Sequence, residues 1–144
     1  MAIDVKEKLR ELSNHEYKLK SKRLKLEALR TLSVENSSKL DSQPSGTSSV
    51  HSRNEELVCK IIELEEEIKK EEIELQKEKV RMLELIEHIS DLNEQRVLIE
   101  RYIQHMNWQE IADSLYCSIS WTYRLHGRAL ESLRHVVSVE GGAI

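Results

Sequence analysis

The sequence predicts an all-α protein, with a long helical arm on the N-terminal side and a cluster of shorter helices at the C-terminal end. Three observations carry this. Four Gly and one Pro in 144 residues are too few to punctuate a set of strands and turns. Charged residues make up 33% of the chain, and the apolar ones recur at spacings of three and four, the period of an amphipathic helix. Aromatic residues amount to 4%, with no Phe, which excludes a large aromatic core.

Other classes fall away on composition. No apolar run approaches the ~20 residues that span a bilayer, and the opening MAIDVKEKLRELS lacks the apolar stretch of a secretion signal, so no membrane partner is expected. Cys59 and Cys117 are the only cysteines and form no CxxC pair. Disulfides and thiolate metal sites are therefore not expected, and the location expected is cytoplasmic. The formal net charge of −4 argues at first against a nucleic-acid partner.

Residues 1–32 are expected to form a basic amphipathic helix. Val5, Leu9, Leu12, Leu19, Leu24, Leu26 and Leu29 mark its apolar positions, and nine bases against five acids leave it at +4. Residues 33–53, SVENSSKLDSQPSGTSSVHSR, are polar and carry Pro and Gly, the composition of a flexible linker. Residues 54–89 form the most periodic segment. Ile61, Ile68, Leu75, Met82 and Ile89 fill every heptad "a" position, and Leu64, Glu71, Glu78, Leu85 and Leu92 the "d" positions. Two acidic "d" residues weaken the seam of a coiled coil. This long helix is acidic, with fourteen acids against six bases over 54–95. It is expected either to dimerise or to take residues 1–32 along it as an antiparallel hairpin, basic against acidic.

A break is expected at 90–93, with Asp91 and Glu94 as a capping box, or Ser90 as the cap. Residues 90–137 then hold the most specific signal, followed by a tail at 138–144. VLIERYI is a helix with one apolar face, and HMN is a break. WQEIADSL is a short helix with Trp108, Ile111, Ala112 and Leu115 on one side, and Tyr116–Cys117 is a turn. Ser118 is a good N-cap for a third helix, whose apolar side is Thr122, Leu125, Ala129, Leu130 and Leu133. Two short helices around a tight turn, with a small Ala where they cross, form the helix-turn-helix pattern. Tyr116 stands where such turns commonly hold Gly.

RYIQHMNWQEIADSLYCSISWTYRLHGRALESL resembles region 4 of sigma-70-type factors, from its Arg-Tyr pair through the Glu-Ile-Ala core to a Ser-started recognition helix ending in Arg128, Ala129 and Leu133. More narrowly, the WxxIA core with YRLHGRAL resembles phage-encoded late-transcription regulators of the ArpU and RinA kind. The resemblance covers about forty residues, and implies that the third helix reads DNA in the major groove. The aromatic-rich region that melts promoters in a complete sigma factor has no counterpart, since both Trp lie inside the helix-turn-helix. A stand-alone regulator acting with RNA polymerase is therefore expected. Sigma factors place a charge early in the recognition helix. Here Ile119 and Ser120 stand there, so the base preference is expected to differ.

The expected DNA-binding residues are Gln109, Ser118, Ile119, Ser120, Trp121, Tyr123, Arg124 and Arg128. Arg124 suits a bidentate contact to guanine or a phosphate bond. Tyr123 and Ser120 suit hydrogen bonds to bases or phosphates. Trp121 suits packing on sugar or a thymine methyl, or a protein partner. Gln109 stands at an exposed helix start, where anions are favoured. Trp108 suits a core brace or an indole contact to phosphate, and Glu110 an orienting partner for a base on the recognition helix. His105, His126 and His135 match no zinc spacing, and no nucleophile set or phosphate loop is recognisable, so no metal, cofactor or catalysis is expected.

Charge divided by segment revises the first impression. Span 96–135 carries five Arg against four acids, and the acidity sits on the long helix. Affinity for DNA grows with the phosphates neutralised, so a near-neutral module calls for dimerisation, a higher oligomer or a polymerase contact through the arm. Double-stranded DNA is the expected partner and transcription control the expected function. A helical adaptor, such as an anti-sigma or polymerase-binding protein, and a small terminase-like packaging subunit are the alternatives.

Overall fold

In a computed structural model of the chain, the backbone is described for residues 4–42 and 47–140, and side chains for 4–36 and 52–140. Regular structure among the described residues is all helical. Helix α1 runs Val5–Ser42, α2 Thr47–Glu87 and α3 Leu92–Leu98; α3 widens into a π-helical turn at Ile99–Ile103, and α4 (Trp108–Ser114) and α5 (Ile119–Val139) follow. No helix among the described residues is long and apolar enough to cross a membrane. The chain forms two compact units, one made of Met1–His15 with Leu75–Ile144 and the other of Glu16–Glu74.

The Glu16–Glu74 unit pairs α1 with α2. Leu19 and Leu26 of α1 and Leu64 and Ile68 of α2 are buried, whereas Leu24, expected among the apolar positions, is exposed. Three cations of α1 reach acids of α2. Lys22 Nζ lies 2.6 Å from Glu67 and also donates to Glu71. Arg23 donates to Glu72 at 2.6 Å, and Arg30 to Glu65 at 2.9 Å. Progress along α1 is matched by regress along α2, so the pair is antiparallel. Here α1 of the same chain lies along the heptad seam. Glu71, the acidic "d" residue that weakens a homodimer seam, has Lys22 opposite. Those hydrogen bonds hold the Lys22 ammonium above its ordinary pKa and the Glu67 carboxyl below its own.

In the other unit, Val5, Leu9 and Leu12 of α1 are buried, as are Leu75, Met82, Leu85, Ile86 and Ile89. The second acidic "d" residue, Glu78, meets His15 Nδ1 at 3.3 Å. The heptad continues through Met82 and Leu85 and ends with the helix. Helix α2 ends at Glu87, and Leu92, its expected next "d" residue, is 67% exposed. Asp91 caps α3, accepting from the backbone N–H of Asn93 at 2.8 Å and of Glu94 at 3.2 Å. Glu94 does not return the bond that a capping box requires. Its carboxylate accepts instead from the Ser132 hydroxyl of α5. Arg96 donates to the carbonyl of Ser114 at 3.1 Å and to its hydroxyl at 2.9 Å. It thereby ties α3 to the C-terminal end of α4, where helix carbonyls lack partners.

The expected boundaries at 32–33 and 53–54 are corrected. Helix α1 continues to Ser42 and α2 begins at Thr47, so the Ser-rich stretch read as a linker is largely helical. Ser and Asn cost only a few tenths of a kcal/mol per helical residue, and the strong breakers of this stretch, Pro44 and Gly46, come only after Ser42. Residues 43–46 of the expected linker and 141–144 of the expected tail lie outside the described residues; α5 takes in residues 138 and 139 of that tail.

The polar layer at Lys22 and Glu71 is half-buried, and such pairs recover little more than their desolvation. Lys22→Leu with Glu71→Leu is expected to raise the thermal midpoint of the chain. A lowered midpoint in differential scanning calorimetry contradicts this.

Candidate nucleic-acid interface

The α4–α5 segment is built by local signals that follow one another closely. Asn107 caps α4, its side chain accepting from the Glu110 N–H at 2.9 Å. Glu110 returns the bond, accepting from the Asn107 N–H at 3.4 Å. The box corrects the expectation for Glu110, whose carboxylate caps its own helix and orients no base on α5. Ile111 and Ala112 are buried, and α4 and α5 pack on each other. Helix α4 ends in a Schellman motif, with the Cys117 N–H on the Ala112 carbonyl (3.0 Å) and the Tyr116 N–H on that of Asp113 (3.2 Å). The motif requires a left-handed residue at Tyr116, whose φ is 54°. Gly adopts this conformation freely, whereas a Tyr bears about 1 kcal/mol of strain. Its ring is 96% exposed and recovers none of that by packing.

Ser118 then caps α5, its hydroxyl accepting from the Trp121 N–H at 3.0 Å. Its carbonyl accepts from both the N–H and the hydroxyl of Thr122, each at 2.9 Å. Thr122, Leu125, His126, Ala129, Leu130 and Leu133 form the buried stripe of α5. At 100° per residue the opposite face carries Ser120, Arg124 and Gly127, all exposed. Tyr123 lies on one flank of that face. Trp121 and Arg128 lie on the other, the guanidinium 5.3 Å from the indole centroid.

A cluster of four rings sets the rotation of α5. The Tyr102 hydroxyl and His126 Nε2 share a hydrogen bond of 2.8 Å. Trp108 packs edge-on against His126 and tilted against Tyr123, each at 4.9 Å between centroids. Arg101 lies 4.4 Å over the Trp108 ring and donates to the Met106 carbonyl at 3.2 Å. Trp108 is thus a brace between helices. Burial, with Lys6 and Arg101 nearby, pushes the His126 imidazole down to about 4, and burial pushes the Tyr102 phenol up. Beside the cluster opens a cleft of about 590 Å³. Lys6 and Arg10 of α1, Arg101, Trp108, Tyr123 and His126 contribute to its wall, and among the described residues no carboxylate does.

The expected site residues divide accordingly. Ser120, Arg124, Tyr123, Trp121 and Arg128 come together on or beside one exposed face of α5. Ile119 is 37% exposed at its first turn. Ser118 is engaged in the cap. Gln109 is exposed at the start of α4 and donates to Asp113 at 2.9 Å. Lys6, Arg10 and the interior His126 did not emerge as site residues from the sequence. The bases of α1 stood out only as part of a +4 segment, with no motif linking them to positions about a hundred residues on.

Folding favours the neutral imidazole of His126, held at about 4 against an ordinary 6.5. Its contribution to stability is therefore complete above pH 6.5 and drains away as pH falls toward 4. The thermal midpoint is expected to fall across that window. In His126→Gln, which keeps a hydrogen-bonding group for Tyr102, the fall between pH 6.5 and about 5, above the carboxylate range, is expected to flatten. An unchanged slope in calorimetry contradicts the assignment.

No curated protein and no solved structure matches the chain. Residues 37–134 match DUF1492, described as a protein of unknown function. That match takes in α4 and α5 as far as residue 134, and on it the chain belongs to the DUF1492 family.

Proposed function

We propose that the chain is a sequence-specific DNA-binding regulator of transcription that lays α5 in the major groove of promoter DNA. The observation that carries this reading is the outward face of α5. Ser120 and Arg124 are exposed there, with Tyr123 on one flank and Arg128 against Trp121 on the other, and no acid stands in the first turn. An N-terminal helical turn presenting hydroxyl and guanidinium groups is what base-edge recognition uses. The likeness of residues 101–133 to sigma region 4 and to phage late-transcription regulators favours the same reading. In it α5 reads the bases, and Gln109 and Ser118 support the approach of the backbone. The arm supplies dimerisation or a polymerase contact.

Gly127 adds a second support. A Cβ built there meets nothing within 4 Å, so the fold does not require Gly, and a mid-helix Gly costs about 1 kcal/mol relative to Ala. Close approach of α5 to a groove floor supplies a reason for it.

Selection from a randomised duplex library is expected to enrich a defined sequence, and Arg124→Ala to lower affinity for it by ten- to a hundredfold, about 1–3 kcal/mol, with the helical circular dichroism unchanged. No enrichment at any salt concentration sinks the reading and favours the protein adaptor. Gly127→Ala is expected to move two measurements in opposite directions. Stability rises by about 1 kcal/mol while duplex affinity falls; affinity that stays level removes Gly127 from the contact face.

A further inference from the structure

We infer that the cleft beside α5 seats a phosphate of the DNA backbone, held by Lys6 and Arg10 of α1 together with Arg101. This rests on the DNA reading and extends the contact surface to an element outside the helix-turn-helix.

The chemistry of the cleft favours an anion. Three cations from two separate elements contribute to its wall, and among the described residues no acid does. Arg101 is anchored by the Met106 carbonyl and the Trp108 ring, which fixes its charge in place. Arg10 has Glu7 beside it at 3.7 Å, with both side chains more than half exposed; such a pair is worth little and yields readily to a phosphate. Lys6 is exposed. The field of the group is felt by its neighbours: Lys6 and Arg101 oppose a proton on His126, and Arg101 and Arg10 favour ionisation of Tyr102.

Position assigns the source of the phosphate. Tyr123 belongs both to the cleft and to the flank of the α5 face, so the cleft opens where that face ends. On the opposite flank stands Arg128 against Trp121. The reading face is therefore bracketed by cations on both sides. A helix lying in a major groove, about 12 Å wide, has a phosphate strand on each side. A phosphate contact on both flanks sets its depth and register.

The test is fluorescence anisotropy of the full chain with a duplex enriched by selection and with a scrambled duplex, over a series of salt concentrations. Lys6→Gln with Arg10→Gln is expected to weaken both duplexes alike and to shrink the slope of log K against log salt by about 2, close to one per cation. Lys18→Gln with Lys20→Gln removes the same charge from exposed positions of the other unit and is expected to leave the slope unchanged. Equal slopes for wild type and Lys6→Gln/Arg10→Gln overturn the inference while leaving α5 as the reader, provided Arg124→Ala still weakens binding. A loss of slope as large in the Lys18/Lys20 variant also overturns it, since net charge then accounts for the effect. Wild-type protein that retains no duplex overturns both readings. ATP in place of DNA separates the sources: a double variant that loses ATP affinity while keeping full duplex affinity makes the cleft a nucleotide site and overturns the inference.

Discussion

The packing of Trp108 against His126 and Tyr123 is the constraint on which the candidate site depends. An imidazole buried between an indole and a phenol is tolerated because it is neutral and its Nε2 is bonded to Tyr102; a charged group there is costly to bury. The ring cluster locks α5 against α4 and against the π-helical turn that carries Tyr102. A helix of 21 residues fixed at that point has one rotation, and the rotation decides that Ser120, Arg124 and Gly127 face outward. The same cluster anchors Arg101 on the Trp108 ring. The interior of the unit and its cationic rim are thus two sides of one packing arrangement.

Much of this was legible in the sequence where the cause is local. Ser118 before a run with apolar period 3.6 announces an N-cap, and Asp91 announces another, because a side-chain oxygen next to orphan N–H groups needs no tertiary partner to be useful. Ala112 and the Thr122–Leu133 stripe follow from periodicity alone. What escaped has non-local causes. Glu94 departs from the capping box because Ser132, 38 residues on, offers a partner. Glu110 turns back to Asn107 rather than toward α5. The extension of α1 to Ser42 runs through residues whose composition signals a linker, a segment where local propensity sets only small costs. His126 is polar by type and interior by place, and only the ring cluster makes that acceptable. Lys6 and Arg10 join the site through the fold, which no spacing rule reaches.

The charge of the chain takes on a different meaning once the pairing is known. A net −4 discourages a DNA-binding reading only if the acids stand free. In the Glu16–Glu74 unit Glu65, Glu67, Glu71 and Glu72 are each met by a cation of α1. The polar "d" positions Glu71 and Glu78, which weaken a homodimeric seam, have Lys22 and His15 opposite them. Polar groups at seam positions specify partner and register at some cost in stability. Here both meet α1 of the same chain. Lys6 of α1 and Arg124 of α5 are exposed, and both belong to the unit that holds the candidate interface.

In the proposed reading α5 meets DNA along its Ser120–Arg128 face. Amide chemical-shift mapping of the isotope-labelled full chain, titrated with a duplex enriched by selection, tests it residue by residue. The largest shifts are expected to cluster on residues 118–128, with a second group at Lys6–Arg10. Shifts confined to α2, or scattered without a focus on α5, contradict it.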